Sequence, residues 1–344
     1  MKKLRNTMVI VLSIVMLLLC GCGGTQATQT PESSATDMDA TEDTLSPVEY
    51  PTQPIKLIVP NKPGGGLDTL NRLITKYIDL PEELVVTNME GASGSIATAE
   101  LMSSEPDGHT VLAQALTMIL NCQAGVYDGQ NMLDMLEPVC IYADEIIIII
   151  AEKDAPFDTL DEFAEHAKAN PNTISLGVAG AKGTGHAALL GVANHYDIID
   201  DLNFVVFGGA AEAKSNLLGN NVQVTAFAAS EAGELLRSGD VKALALCSEE
   251  RDPAFPDVPT TYEQGVELTV NNWRGFFVPK GTPDEIIDIF AGAVEKVTEN
   301  PEYLAEMDAR GSRVNFRGPE ETVEQIKTDE ETFAPLSELF KEME

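Results

Sequence analysis

Five times along this chain a short apolar run gives way to a loop of small residues and then to a helical pattern, and that repetition limits the fold more than any other feature. The first instance is the most explicit. Ile55-Lys56-Leu57-Ile58-Val59 reads as a buried strand, Pro60 ends it, and Pro63-Gly64-Gly65-Gly66 follows as a turn. Asp68 and Thr69 are then expected to cap a helix that carries Leu70, Leu73, Ile74 and Tyr77. A helix start leaves backbone N–H groups without helical partners. With the positive end of the helix dipole, those donors suit a carboxylate or a phosphate. The glycines do not fit GxGxxG, and no Gly-Lys-Ser/Thr follows, so a nucleotide loop is disfavoured.

The other instances are built alike. A strand expected over 83–88 runs into Gly91, Ala92, Ser93, Gly94 and Ser95, then a helix through Ile96, Ala99, Leu101 and Met102. A strand over 173–178 leads through Gly180, Lys182, Gly183, Thr184, Gly185 and His186 to a helix expected over 187–195. A strand over 203–207 meets Gly208-Gly209-Ala210-Ala211, and one over 222–227 meets Ala228-Ala229-Ser230-Glu231. Alternation of this kind predicts an α/β fold with mainly parallel strands. Ligands in such folds gather beyond the carboxyl ends of strands, near helix N-termini. Because the loops fall in both halves of the chain, a cleft lined from two sides is expected, with Ser93, Gly94, Gly209 and Ser230 among its residues.

Two further stretches are candidates for crossing between domains. Residues 139–151, centred on five consecutive isoleucines, read as one strand buried on both faces. Residues 268–279, which include Trp273, the single tryptophan, read as a second extended run. A length of 344 residues suits about two domains.

Composition removes some function classes. The formal net charge of −33 argues against nucleic-acid binding, which needs a basic footprint. It does not argue against a small anionic ligand, because aimed dipoles set the local potential and salt screens charge beyond about 8–10 Å. A hydrolase would need a nucleophile, a base and an orienting acid within reach. Ser93, Ser95 and Ser230 lie in loops, but there is no GxSxG elbow and no HExxH, and no enzyme activity, cofactor or metal is expected. Cys122, Cys140 and Cys247 match no zinc or CxxC spacing and read as buried thiols.

The N-terminus reads as an export address. Lys2, Lys3 and Arg5 precede an apolar core over 8–19 that is short for a membrane span. Leu19-Cys20-Gly21-Cys22 then resembles the bacterial lipoprotein signal, with residues 1–21 as the signal and Cys22 as the lipidated residue. Residues 22–49, rich in Thr, Ser, Gln, Pro and acids, read as a disordered acidic tether.

The folded part also resembles a known family. Pro54-Ile55-Lys56-Leu57-Ile58-Val59-Pro60 with Pro63-Gly64-Gly65-Gly66-Leu67-Asp68 resembles the opening of Bug-type receptors, the substrate-binding proteins of tripartite tricarboxylate transporters. Gly91-Ala92-Ser93-Gly94, Pro106-Asp107-Gly108-His109-Thr110, Asp257-Val258-Pro259-Thr260, Trp273-Arg274-Gly275 and Pro279-Lys280-Gly281-Thr282-Pro283 are similar pieces in the same order. The resemblance implies a two-domain periplasmic-binding-protein fold, type II-like, closing as a Venus flytrap, with two interdomain crossings near 145–151 and 269–277. The expected domains are 50–145 with 271–344, and 146–270. It also implies a small organic carboxylate held by backbone amides and water, at Gly64, Gly65, Gly66 and Asp68 on one side and Thr184, Gly185 and His186 on the other. The expected function is a lipid-anchored extracytoplasmic receptor that delivers this ligand to a tripartite membrane permease. The alternative is a ligand-sensing partner of a membrane sensor. Leu67, where Thr or Ser is common in the family, and the apolar starts at Ala210 and Ala228 imply a more apolar far side to the pocket.

Overall fold

The computed structural model describes residues 48–310 and 312–342. The expected signal segment, Cys22 and the tether as far as residue 47 lie outside the described residues. In chain order the strands are β1 (Ile55–Val59), β2 (Leu84–Asn88), β3 (Thr110–Ala115), β4 (Leu136–Asp144), β5 (Ile147–Glu152), β6 (Ile174–Ala179), β7 (Leu202–Phe207), β8 (Val224–Ala228), β9 (Val241–Leu246), β10 (Arg274–Pro279) and β11 (Arg313–Arg317). The helices are α1 (Gly66–Tyr77), α2 (Ser95–Met102), α3 (Thr117–Gln123), α4 (Met132–Met135), α5 (Leu160–Ala169), α6 (Thr184–His195), α7 (Ala210–Leu218), α8 (Ala229–Ser238), α9 (Asp284–Thr298), α10 (Pro301–Ala309), α11 (Pro319–Phe333) and α12 (Ser337–Glu342).

The strands form two sheets. One has six strands in the order β11-β4-β10-β3-β1-β2; the other has five in the order β7-β6-β8-β5-β9. The chain therefore enters the second sheet between β4 and β5 and returns to the first between β9 and β10. The expectation of mainly parallel sheets is corrected. β1 pairs in parallel with β2 and β3, and β6 with β7 and β8. The pairings of β5, β10 and β11 are antiparallel. The physical reason is the crossing itself. A parallel neighbour needs a connection of a dozen or more residues to bring the chain back round. β5 instead follows β4 after two residues and runs straight into its sheet, against β8 and β9 on either side.

The isoleucine run also differs from expectation. Residues 139–151 are not one strand: β4 already starts at Leu136 and ends at Asp144, and β5 begins in the other sheet at Ile147. Within that run the alternation is strict. Ile147 and Ile149 pack with Ala187 and Leu190 of α6, whereas Ile146, Ile148 and Ile150 pack with Ala213 and Leu217 of α7 and Ala232 and Leu235 of α8. A strand covered by helices on both faces has no polar side, so an unbroken apolar run is what it requires. Each such isoleucine contributes about 1.5–3 kcal/mol by leaving water.

The first sheet buries β1, β3, β4 and β10 against α1, α9 and α10, through Leu57, Val139, Phe276, Leu70, Phe290 and Tyr303 among others. A further apolar cluster runs from Ile58 and Leu112 of the first sheet, through Ile119 of α3 and Phe333 and Phe340 near the C-terminus, to Leu189 and Leu176 beside the second. Cys122, Cys140 and Cys247 are buried free thiols. The two crossings lie side by side. Ile146 bridges Asn271, and the Asn272 N–H donates to the Glu145 carbonyl at 2.8 Å.

Candidate functional site

Some helix starts carry side-chain caps and others do not. Away from the space between the sheets, α5 is capped by Thr159, whose hydroxyl accepts from the Glu162 N–H at 3.2 Å, and α10 by Asn300, which accepts from the Glu302 N–H at 2.9 Å. α1, α2, α6 and α7 are instead preceded by Gly65, Gly94, Gly183 and Gly209, and α8 by Ala228, none with a side-chain cap. Substituting a capping side chain by Ala costs about 0.5–2 kcal/mol. These five starts are the five small-residue loops of the repeat; α3 after Leu116 and α9 after Pro283 also lack a side-chain cap. At α1, α6 and α7 the first-turn N–H groups stay available to something other than the protein, whereas at α2 and α8 the first is taken, Ser95 by the Ala92 carbonyl and Ala229 by the Ile146 carbonyl at 2.9 Å.

The loops are nevertheless held firmly, from behind. Asp68 stands at the third position of α1, not at its cap, because the helix begins at Gly66. It is 1% exposed, and its Oδ2 accepts from the Gly64 N–H at 2.8 Å and from Arg72 Nε at 3.0 Å, while Asn88 Nδ2 donates to Oδ1 at 2.8 Å. Burial pushes the Asp68 carboxyl up, but the bonds from Arg72, Gly64 and Asn88 outweigh it and hold its pKa below the ordinary value. His186 has the same station on α6, which begins at Thr184 and not after His186 as expected. Its Nδ1 accepts from the Lys182 N–H at 3.1 Å. The proton therefore sits on Nε2, which is buried without a hydrogen-bond partner between the rings of Phe204 and Phe340, whose centroids are 5.9 and 5.4 Å away. Burial, and then the Lys182 charge, lower its pKa to about 4. Glu212, third residue of α7, repeats the contact: its Oε2 accepts from the Gly208 N–H at 2.9 Å. In each case the third helical residue ties down the N–H four positions earlier.

The loops line two cavities of about 420 and 470 Å³ that share part of their walls. Both are walled by Gly66 and Thr117 from the first sheet's loops, by Gly183 from the second's, and by Asn272 and Arg274 at the crossing. Of the residues expected from sequence, Gly66, Thr184, Gly185 and Ser230 line the first cavity, and Gly66, Ser93 and Gly94 the second. Gly64 and Gly65 shape the loop behind the wall; Gly64 sits at φ +83°, where a side chain would be strained. Asp68 and His186 lie buried behind the wall as well. Gly209 is set back, and its neighbour Ala210 reaches the first cavity. Among the described residues no cluster of His, Cys, Asp and Glu could hold a metal ion, and no helix is long and apolar enough to cross a membrane.

Sequence reasoning missed the polar cluster at the crossing. Glu145 accepts from Ser230 Oγ at 2.7 Å, from Ser312 Oγ at 3.3 Å and from Arg274 Nη2 at 3.2 Å. Its carboxylate thus joins the start of α8, the approach to β11 and the start of β10. The preceding Asp144 is fully buried and accepts from Arg313 Nε and Asn315 Nδ2, both at 2.6 Å, and from Asn271 Nδ2 at 2.8 Å. Burial raises its pKa, but the Arg313 bond and charge with the two asparagines bring it below the ordinary value. Glu231 is shifted the other way, up, by burial and then by the charge of Glu145. The legible signal was two acids inside an otherwise apolar run: a charge there has to have buried partners.

Known proteins share this arrangement. A profile described as tripartite tricarboxylate transporter family receptor matches residues 74–332. Protein BugT of Bordetella pertussis is 28% identical over 278 residues, covering 79% of this chain and 85% of BugT. A TctC solute-binding protein from Polaromonas, solved without ligand, superposes with a TM-score of 0.74 at 29% identity, over 84% of this chain and 99% of that one. MatC from Rhodopseudomonas palustris, solved with bound malate, does so with 0.69 at 26%, over 84% and 100%. The profile spans most of the two-sheet fold and the solved relatives reproduce it, so this chain belongs to the tripartite tricarboxylate transporter receptor family, a family of solute-binding proteins.

Proposed function

We propose that this chain is an extracytoplasmic receptor that captures a small organic carboxylate between its two lobes and delivers it to the permease of a tripartite tricarboxylate-type transporter. The lobes are taken as 50–145 with 271–344, and 146–270. One observation carries the reading: helix starts without side-chain caps converge on a cleft walled from both sheets. Partial positive charge at helix N-termini suits an anion, and a small cleft that buries it suits an organic one. MatC, a relative solved with malate, supports the same class. Gly66, Ser93, Gly94, Thr184, Gly185 and Ser230 are the proposed contacts. Gly64, Gly65, Asp68, His186 and Gly209 act by shaping the loops.

A carboxylate at a hundredfold excess over its Kd stabilises the folded state by about 2.7 kcal/mol, read as a rise in Tm. The expected result is such a rise for one member of a panel of mono-, di- and tricarboxylates; a folded protein unmoved by the whole panel refutes the reading. For the anchor, Cys22→Ser is expected to move the protein from the membrane to the soluble fraction of cells. Retention in the membrane would exclude Cys22 as the lipidated residue.

A further inference from the structure

Arg274 lines both cavities on their common wall, yet it is only 9% exposed. Its Nη1 donates to the carbonyls of Asn272 and Trp273, and its Nη2 donates to Glu145 at 3.2 Å. A guanidinium has five N–H donors in a fixed fork. The Nε–H and the second Nη2–H donate to no acceptor among the described residues. A buried charge with unused donors beside a cavity is costly unless the site gives it a partner. We propose that Arg274 binds the carboxylate of the ligand directly and that Glu145 is its positioning residue. This rests on the receptor reading and names the group that reads the ligand's charge.

The surroundings favour this role over a purely structural ion pair. Glu145 is itself held by Ser230 and Ser312, so it fixes the guanidinium plane and does not follow it. Gly66 and Gly183, at the starts of α1 and α6, share both cavities with Arg274. One carboxylate placed there meets the fork and the helix N-termini together. The N–H groups supply partial charge and accept a polar neutral group nearly as well. The full charge and planar fork of Arg274 are what distinguish a carboxylate from its amide.

The test measures that distinction by titration calorimetry on the full chain, with malate, adipate and benzoate, each against its carboxamide. Wild type is expected to prefer the best-bound acid over its amide by about 30–100-fold, as for a hydrogen-bonded charge pair. Arg274→Gln is expected to cut the preference below about threefold, and Arg274→Lys, which keeps a charge beside Glu145, to about tenfold. If Arg274→Gln does not fold, shown by its melting curve, the lysine variant decides alone. An equal weakening of acid and amide with the preference intact overturns the inference and leaves the receptor reading standing. Failure of folded wild type to bind any acid, these three or the wider panel, removes both.

Discussion

The loops at the starts of α1 and α6 do the same work with opposite chemistry. Each sits at the carboxyl end of a strand, each begins its helix after a glycine, and in each the third helical residue holds a backbone N–H of the loop from behind. In the first lobe that residue is an ionised carboxylate, Asp68, whose charge is offset by Arg72 and Asn88. In the second it is a neutral imidazole, His186, sealed between two phenylalanines. An anion held at both loops would meet the same backbone donors, but of these two loops only the first has a negative charge behind it. The lesson is that the geometry of an anion loop and its electrostatics are set by different residues. The glycines leave the donors bare, and the third helical residue decides what charge stands behind them.

The largest expected effect separates the two supports. Asp68→Ala removes from a buried carboxylate the bonds that the Gly64 N–H, Arg72 and Asn88 donate to it, and is expected to cost about 3 kcal/mol, roughly 1 kcal/mol for each bond. Glu212→Ala removes the matching contact at an exposed site and is expected to cost less than about 1 kcal/mol. Urea unfolding of both variants checks this. Equal losses would mean that burial of the support is irrelevant and that the loop is held by its own turn.

Acid sharpens the same contrast. The pKa of His186 is about 4 in the folded protein against an ordinary 6.5, so the unfolded chain binds more protons between those values. Stability from the buried neutral ring is complete above pH 6.5, falls as pH drops towards 4, and is constant below. The full span amounts to about 3 kcal/mol. Asp68 has the same sign in a lower window: its pKa is lowered too, so its contribution survives between pH 6.5 and 4 and is lost only as pH falls below the ordinary carboxylate value, through its folded pKa. His186→Gln keeps an acceptor for the Lys182 N–H but does not titrate. The wild-type minus His186→Gln stability is therefore expected to decline from pH 6.5 to 4. A flat difference would show that the ring is already charged in the fold.

Much of this was legible in the sequence, for a physical reason. Strand, small loop and helix are local patterns, so 55–66 or 174–184 announce themselves within a dozen residues. The family resemblance then implied two lobes facing a cleft. What was not legible is long-range. Arg313 and Asp144 are 169 residues apart and meet only through the pairing of β11 with β4, and β11 itself, Arg-Val-Asn-Phe-Arg, carries too little apolar surface to be read as a strand. The helix starts moved for a subtler reason. Asp68 and His186 carry polar groups suited to a cap, but glycine at the cap with the polar group three positions after it satisfies the same loop and leaves the cleft side open.

The smallest expected effect tests whether the two glycine loops are interchangeable. Gly185 is tight: a Cβ there would stand 2.4 Å from the Ala226 carbonyl oxygen on β8, which is backbone and cannot turn aside. Gly185→Ala therefore has to push α6 off its sheet, and is expected to cost about 1–2 kcal/mol, the usual scale for overpacking. Gly65 has an ordinary φ of −71°, and its Cβ would meet only the Lys62 carbonyl oxygen at 3.3 Å, in a surface turn able to shift by a few tenths of an ångström. Gly65→Ala is expected to stay within about 0.5 kcal/mol of wild type in the same unfolding measurement. The loops would then differ in what glycine is for: close packing of helix on strand in the second lobe, and room on the cleft side in the first. Equal losses at the two positions would break that distinction, because they would mean that the first loop is packed as closely as the second.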